Sequence, residues 1–284
     1  MLVPGDAERH ICLISGGKDS TALALYLRDK HPEIDMEYLF ADTGEELQET
    51  YEYLTRIEAY LGKPITRLMP TAIDEYRDGA FQHYLSLYRD FLPSPQARWC
   101  TRKLKIEPFE AYVGDDPVKL YVGIRADEKR DGYISTKPNI TPVFPFKEDG
   151  LKKPDIFRIL EQSGVGTPDY YDWRSRSGCY FCFFQRKSEW LGLHDRHPDL
   201  FERAKSMEKP ELGYTWVQGE SLDELMGRRA AIEDEEARRK QRAEERRRNT
   251  PATLAELFGA DPEDADEEPG CLILIFTPGL LHDI

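Results

Sequence analysis

Ile11-Cys12-Leu13-Ile14 is an unbroken apolar run of strand length, and it passes without a spacer into Ser15-Gly16-Gly17-Lys18-Asp19-Ser20. Such a run, bounded by turn formers, reads as a strand buried on both faces. From about Ser20 to Lys30 apolar residues recur at helical spacing, so the small-residue segment joins a strand to a helix start. Glycines there let backbone N–H groups approach an anion, and the helix N-terminus adds positive dipole. Ser15 and Ser20 supply hydroxyl donors, and Lys18 can neutralise a phosphate. A turn that merely caps a helix is the plainer reading, and the strand before and helix after count against it. No Gly-x-x-x-x-Gly-Lys-Ser/Thr run is present, so transfer of a terminal phosphate is not what the loop predicts.

Working outward, a second strand over Met36–Phe40 ends in Ala41-Asp42-Thr43-Gly44, and a helix follows with Tyr51, Leu54, Ile57 and Leu61 on one face. This βαβ alternation predicts an α/β fold with a parallel sheet. Further strands are expected at Ile65–Leu68 and Lys119–Ile124, with helices around Ile73–Leu92 and Lys103–Tyr112, Pro108 counting against the last. The Pro-rich turn formers from Gly132 to Pro145 read as a crossing loop into a smaller subdomain. The expected division is an α/β domain over 1–140, a subdomain with Cys-x-x-Cys over 141–220, and a charged helix and tail over 221–284. Ser221–Arg248 reads as one long charged helix, most simply a solvated one; an acidic stretch, Asp261–Glu268, and an apolar end, Cys271–Phe276, follow, the latter expected to dock as a strand.

The 284 residues suffice for an apolar core without disulfides, and 32% charged residues with a net charge of -14 make the chain acidic. An acidic total does not exclude a nucleic-acid partner, because binding follows local basic clusters. No apolar run of about 18 to 20 residues exists and the N-terminus lacks a signal-peptide pattern, so the expectation is a cytoplasmic protein with no membrane partner.

Five cysteines, two of them in Gly178-Cys179-Tyr180-Phe181-Cys182, suit a metal or redox site better than a disulfide framework. Cys100 lies in Arg98-Trp99-Cys100-Thr101-Arg102-Lys103, and with Arg186 these basic residues favour thiolates. Cys100, Cys179 and Cys182 are the candidate ligands of a 4Fe-4S cluster, with Cys271 as a candidate fourth whose apolar surroundings speak for an inert core thiol. Cys12 belongs to the first strand's core. Structural zinc with His194 or His197 is the alternative, and a redox dithiol leaves Cys100 unexplained. Trp99, Tyr180, Phe181, Phe183 and Phe184 either stack bases or pack the core, and core packing is the favoured reading.

Ser15-Gly16-Gly17-Lys18-Asp19-Ser20 resembles the Ser-Gly-Gly-x-Asp-Ser loop of the PP-loop, or adenine nucleotide α-hydrolase, superfamily, in its phosphoadenylylsulfate reductase-like branch. Asp42-Thr43-Gly44 with Glu49-Thr50, and Gly123-Ile124-Arg125-Ala126-Asp127-Glu128, resemble that branch's Asp-Thr-Gly and Gly-Ile-Arg-x-x-Glu motifs, and the resemblance extends over roughly the first two hundred residues. It implies a HUP-like domain that splits ATP to AMP-linked intermediate and pyrophosphate, with Lys18, Asp19 and Arg125 catalytic and Asp19 assisting magnesium or orienting the loop. The nucleotide-binding set it implies is Ser15 to Ser20, Asp42, Thr43, Gly44, Gly123, Arg125 and Glu128. An arginine at 125 can clamp phosphate bidentately with Glu128 orienting it; Arg130 is a weaker candidate. The chain lacks the Glu-Cys-Gly-Leu-His tail of sulfonucleotide reductases and has Trp99-Cys100 where an adjacent cysteine pair is expected. What remains resembles DNA phosphorothioation proteins of the DndC and SspD kind. That resemblance implies ATP-dependent replacement of a DNA phosphate oxygen by sulfur, with a cysteine desulfurase, nucleic acid (DNA ahead of tRNA) and other modification-complex subunits as partners. The alternatives are tRNA thiolation, a sulfonucleotide reductase relying on Cys271, and a non-catalytic nucleotide sensor.

Overall fold

The computed structural model describes residues 8–70, 79–129 and 137–249. At the centre of the sheet lies β1 (Arg9–Leu13), whose Ile11 and Cys12 are buried in the cores on opposite faces, as strand alternation requires. The chain continues through α1 (Lys18–Lys30), β2 (Met36–Ala41), α2 (Gln48–Leu61), β3 (Ile65–Leu68) and α3 (Ala80–Leu87). A helical run follows as α4 (Trp99–Thr101), a π turn (Arg102–Ile106) and α5 (Glu107–Val113), leading to β4 (Val118–Tyr121) and β5 (Ile140–Val143). All neighbouring strands are parallel in the order β3-β2-β1-β4-β5, with Cys12 opposite both Tyr38 and Tyr121. The order reverses between β1 and β4, and open α/β sheets bind ligands outside the carboxyl ends of the strands at such a point.

After the short α6 (Pro145–Glu148), α7 (Lys153–Ser163) joins α1 and α2 on one face of the sheet, burying Leu23, Leu27, Leu54, Ile57, Ile156 and Leu160. The other face packs Ile11, Leu39 and Leu120 against Ile106, Phe109 and Val113. A third core is helical: α8 (Lys187–Arg196), α9 (Pro198–Ser206), α10 (Leu222–Gly227) and α11 (Arg229–Asn249) enclose Trp190, Phe201 and Trp216 with Phe81, Trp99, Cys100 and Phe181. Phe181 stacks on Trp216 with centroids 4.8 Å apart, a pairing that adds about 1 kcal/mol beyond the area buried. Trp99, Tyr180 and Phe181 are thus core residues rather than a base-stacking platform. No helix among the described residues is long and apolar enough to cross a membrane.

The structure departs from the sequence expectations in particular places. β5 forms where a crossing loop is expected, and the sheet continues past residue 140; Pro142 lies in it because β5 is an edge strand, where a missing N–H costs no ladder bond. β4 stops at Tyr121, leaving Gly123 and Ile124 in the loop beyond. Pro108 is accommodated near the start of α5, directly after the π turn that widens the helix upstream. The expected single helix over Ser221–Arg248 is two: Ser221 accepts from the Glu224 amide to cap α10, which ends at Gly227, and α11 begins at Arg229. Ile232 anchors α11 beside α8. Arg130, Asp261–Glu268 and Cys271–Phe276 lie outside the described residues.

Candidate functional site

The loop between β1 and α1 folds on its own hydroxyls. Ser20 Oγ accepts the Ser15 amide at 3.0 Å, lies 2.9 Å from Ser15 Oγ, and donates to the Gly17 carbonyl at 3.2 Å. Gly16 adopts φ +75°, a left-handed conformation, and a Cβ there would stand 2.8 Å from Thr50 Cγ2. Both constraints require glycine. α1 begins at Lys18, two residues earlier than the periodicity suggests, so the Lys18 amide is a true helix-terminus donor. Lys18 is only 6% exposed, and its ammonium sits 3.2 Å from Asp19 Oδ2.

Arg125 stands behind this loop. Its Nη1 meets Asp19 Oδ1 at 2.9 Å and Glu128 Oε1 at 3.2 Å, and its Nε meets Asp127 Oδ1 at 3.0 Å. The motif predicts a guanidinium that clamps phosphate; the structure buries it at 0% exposure, where it braces Asp19. Burial works to raise the Asp19 carboxyl, but Lys18 and Arg125 outweigh it and hold the group below its ordinary range. Gly123 permits the close approach, since a Cβ there would lie 3.0 Å from the Asp19 carbonyl oxygen. Asp42 fixes its own turn: Oδ1 accepts the Gly44 amide and the Tyr51 hydroxyl, each at 2.9 Å. Thr43 donates to Glu46, and Glu49 pairs with His197 at 3.0 Å.

A strap that the sequence reading does not single out lies across the loop. In the 3-10 turn Asp169–Asp172, the Tyr170 hydroxyl donates to the Gly16 carbonyl at 2.7 Å and the Tyr171 hydroxyl accepts the Lys18 amide at 3.0 Å. Ser177 Oγ donates to Ser15 Oγ at 3.3 Å. These residues are more than 150 positions from the loop in the chain; the only sequence signal is their place just upstream of Cys179. Arg174, 2% exposed, holds the strap's end by donating to the carbonyls of Gly178 at 3.1 Å and Cys179 at 2.6 Å.

Cys179 is thereby carried to the end of β2. Its Sγ lies 3.2 Å from Thr43 Oγ1 and 3.9 Å from Glu46 Oε1, its backbone pairs with Glu46, and the Tyr180 amide donates to the Glu45 carbonyl. The Cys182 amide donates to the Cys179 carbonyl at 3.1 Å, closing the turn between the two thiols. Cys100, Cys179 and Cys182 are all buried, and Cys100 and Cys179 share the helical core. Among the described residues, however, no three His, Cys, Asp or Glu side chains are gathered as metal ligands. His194 and His197, the histidines of the zinc alternative, face Asp195 and Glu49. Cys271 lies outside the described residues. Nearby, burial pushes the Glu45 carboxyl up to about 7, with Arg203 at 2.8 Å opposing and Glu46 adding to the rise.

Residues 9–142 match the phosphoadenosine phosphosulfate reductase domain. The matched region includes the phosphate loop, Asp42-Thr43-Gly44 and Gly123–Glu128, and it ends before the strap and the Cys-x-x-Cys. An uncharacterised protein of Methanocaldococcus jannaschii is 27% identical over 223 residues, covering 72% of this chain and 43% of that protein. The chain thus spans less than half the length of this relative. An uncharacterised protein of Escherichia phage 186 is 25% identical over 261 residues, 70% of this chain and 74% of its own. Among solved structures, the phosphoadenylyl-sulfate reductase of Candida auris in its phosphate complex is similar at 14% identity and a TM-score of 0.46, over 61% of this chain and 82% of that one.

Proposed function

We propose that this chain is an ATP pyrophosphatase that adenylates an acceptor oxygen for replacement by sulfur, the acceptor being a DNA backbone phosphate. The observation that carries the reading is the junction of the two motifs: Ser177 bonds Ser15 of the phosphate loop while Cys179, two residues on, touches Thr43. An anion cradle and a thiol pair so joined suit a reaction in which a phosphoric anhydride with AMP forms and sulfur then displaces AMP.

The chemistry divides between them. The α1 N-terminus and Lys18 neutralise and orient the ATP phosphates. The acceptor oxygen attacks the α-phosphorus, the bond to the bridging oxygen breaks, and pyrophosphate leaves. Sulfur at the oxidation level of sulfide, which a cysteine desulfurase and a reductant would supply, then attacks the acceptor phosphorus, and AMP departs with the former acceptor oxygen. Asp19, braced by Arg125 at the loop, would assist magnesium, whose charge would stabilise the departing pyrophosphate, or orient the loop. The buried thiols of Cys100, Cys179 and Cys182 fit by donor chemistry a 4Fe-4S cluster, with zinc as the alternative. Such a cluster, held by those three thiolates, would supply a site able to bind exogenous sulfide.

The name of the matched domain favours a second reading, a sulfonucleotide reductase, in which Cys271 is indispensable. Anaerobic purification with iron, sulfide and zinc analysis of the wild type, Cys100→Ala and Cys179→Ala, alongside pyrophosphate release from ATP, tests the proposal. About four irons per chain, lost in both variants, and pyrophosphate released with DNA present are the expected results. Zinc without iron removes the cluster and leaves the ATP chemistry; absence of pyrophosphate release with either DNA or tRNA refutes the function.

A further inference from the structure

Beside the thiols and the loop, two arginines converge on one ring. The guanidinium carbons of Arg98 and Arg176 lie 5.4 Å and 5.5 Å from the centroid of Phe184, which follows Cys182 by two positions. Arg98 is half-buried, and its Nε and Nη2 are buried with no hydrogen-bond partner among the described residues. Withdrawing a guanidinium from water without an acceptor is costly, and folded proteins leave few such groups orphaned. Among the described residues no carboxylate pairs with Arg98, whereas Arg102, four positions on, pairs with Glu107 at 3.3 Å. The position is equally specific. Arg176 adjoins Ser177, the residue bonded to the phosphate loop, and Arg98 lies two residues before Cys100.

We infer that Arg98, with Arg176 beside it across Phe184, forms a second oxyanion site that takes a phosphodiester of the acceptor and holds it between the phosphate loop and the thiols. The planar guanidinium presents paired N–H donors that match the oxygens of a phosphate. This rests on the nucleic-acid acceptor proposed above and names the residue that would grip it.

The test is binding of a short duplex DNA, of ATP and of inorganic phosphate to the wild type, Arg98→Gln, Arg98→Lys and, as a control, the exposed Arg102→Gln, with pyrophosphate release measured in parallel. Arg98→Gln is expected to weaken DNA binding on the order of tenfold or more, with the slope of log affinity against log salt reduced by about one, while ATP affinity stays unchanged. Arg98→Lys keeps the charge without the fork and should fall between the two; Arg102→Gln should bind DNA nearly as the wild type does. If Arg98→Gln weakens ATP rather than DNA, the anion belongs to the nucleotide and the inference fails. It fails also if Arg98→Gln lowers the melting temperature or the iron content and leaves DNA affinity intact, since the side chain then serves packing or the thiols. Arg98-dependent DNA binding in a protein that releases no pyrophosphate would uphold the site and refute the proposed reaction.

Discussion

Gly16→Ala separates two demands that the phosphate loop makes on a single residue. The first is conformational: at φ +75° an alanine enters the left-handed region at a cost of about 1–2 kcal/mol. The second is steric. Its Cβ would stand 2.8 Å from Thr50 Cγ2, well inside ordinary carbon contact, and overpacking of that kind costs roughly 1–3 kcal/mol. Together they predict a loss of about 2–5 kcal/mol, which for a chain of this size lowers the melting temperature by roughly 5–15 °C. Thr50→Ser deletes the offending methyl while leaving the conformational demand in place. In a double-mutant cycle followed by urea and thermal unfolding, Gly16→Ala/Thr50→Ser should regain the steric share, about 1–3 kcal/mol, and no more. An alanine variant within 1 kcal/mol of the wild type, or a cycle with no coupling between the two positions, would refute this account of the loop.

Glu45 makes stability depend on pH. Its folded carboxyl titrates at about 7, above the unfolded value of roughly 4.3, so the folded state retains a proton that the unfolded chain has lost. That contribution is fully present below about pH 4 and is lost as pH rises through 7, on the order of 3 kcal/mol in all. Melting curves from pH 5 to 8 should fall for the wild type and flatten for Glu45→Gln; equal slopes in the two would show that Glu45 is not the titrating group. Tyr171→Phe frees the Lys18 amide, so ATP should bind a few-fold to about tenfold more tightly by calorimetry, whereas weaker binding would show that the phenol is itself a nucleotide ligand.

How much of this was visible in the chain depends on the distance over which each signal acts. The strand of Ile11 and Cys12, the glycines of the loop and the helix through Leu54 and Ile57 are written in neighbouring residues, and the parallel sheet follows from their order. β5 was hidden because Pro142 is a turn former by composition and an edge-strand residue by position. The break after Gly227 was masked by the continuous run of charge on both sides of it. Arg125 was legible as a motif, but the three carboxylates that surround it are brought there by tertiary burial. Tyr170, Tyr171 and Ser177 carry no local mark beyond their place just upstream of Cys179, since their partners are residues of a loop more than 150 positions away in the chain.

The π turn at Arg102–Ile106 sets an angular phase between two ends of one helix. Trp99 and Cys100 before it and Leu104 within it face the helical core that Cys179 shares; Ile106 at its end and Phe109 and Val113 after it face the sheet. A π turn holds one residue more than a regular turn, and one residue of an α-helix corresponds to about 100° of rotation. The orientation of Cys100 relative to the sheet is therefore stored in the number of residues between them. Side-chain substitutions within the turn leave that count intact, whereas the loss of one residue would rewind the helix and swing the thiol off the core it occupies.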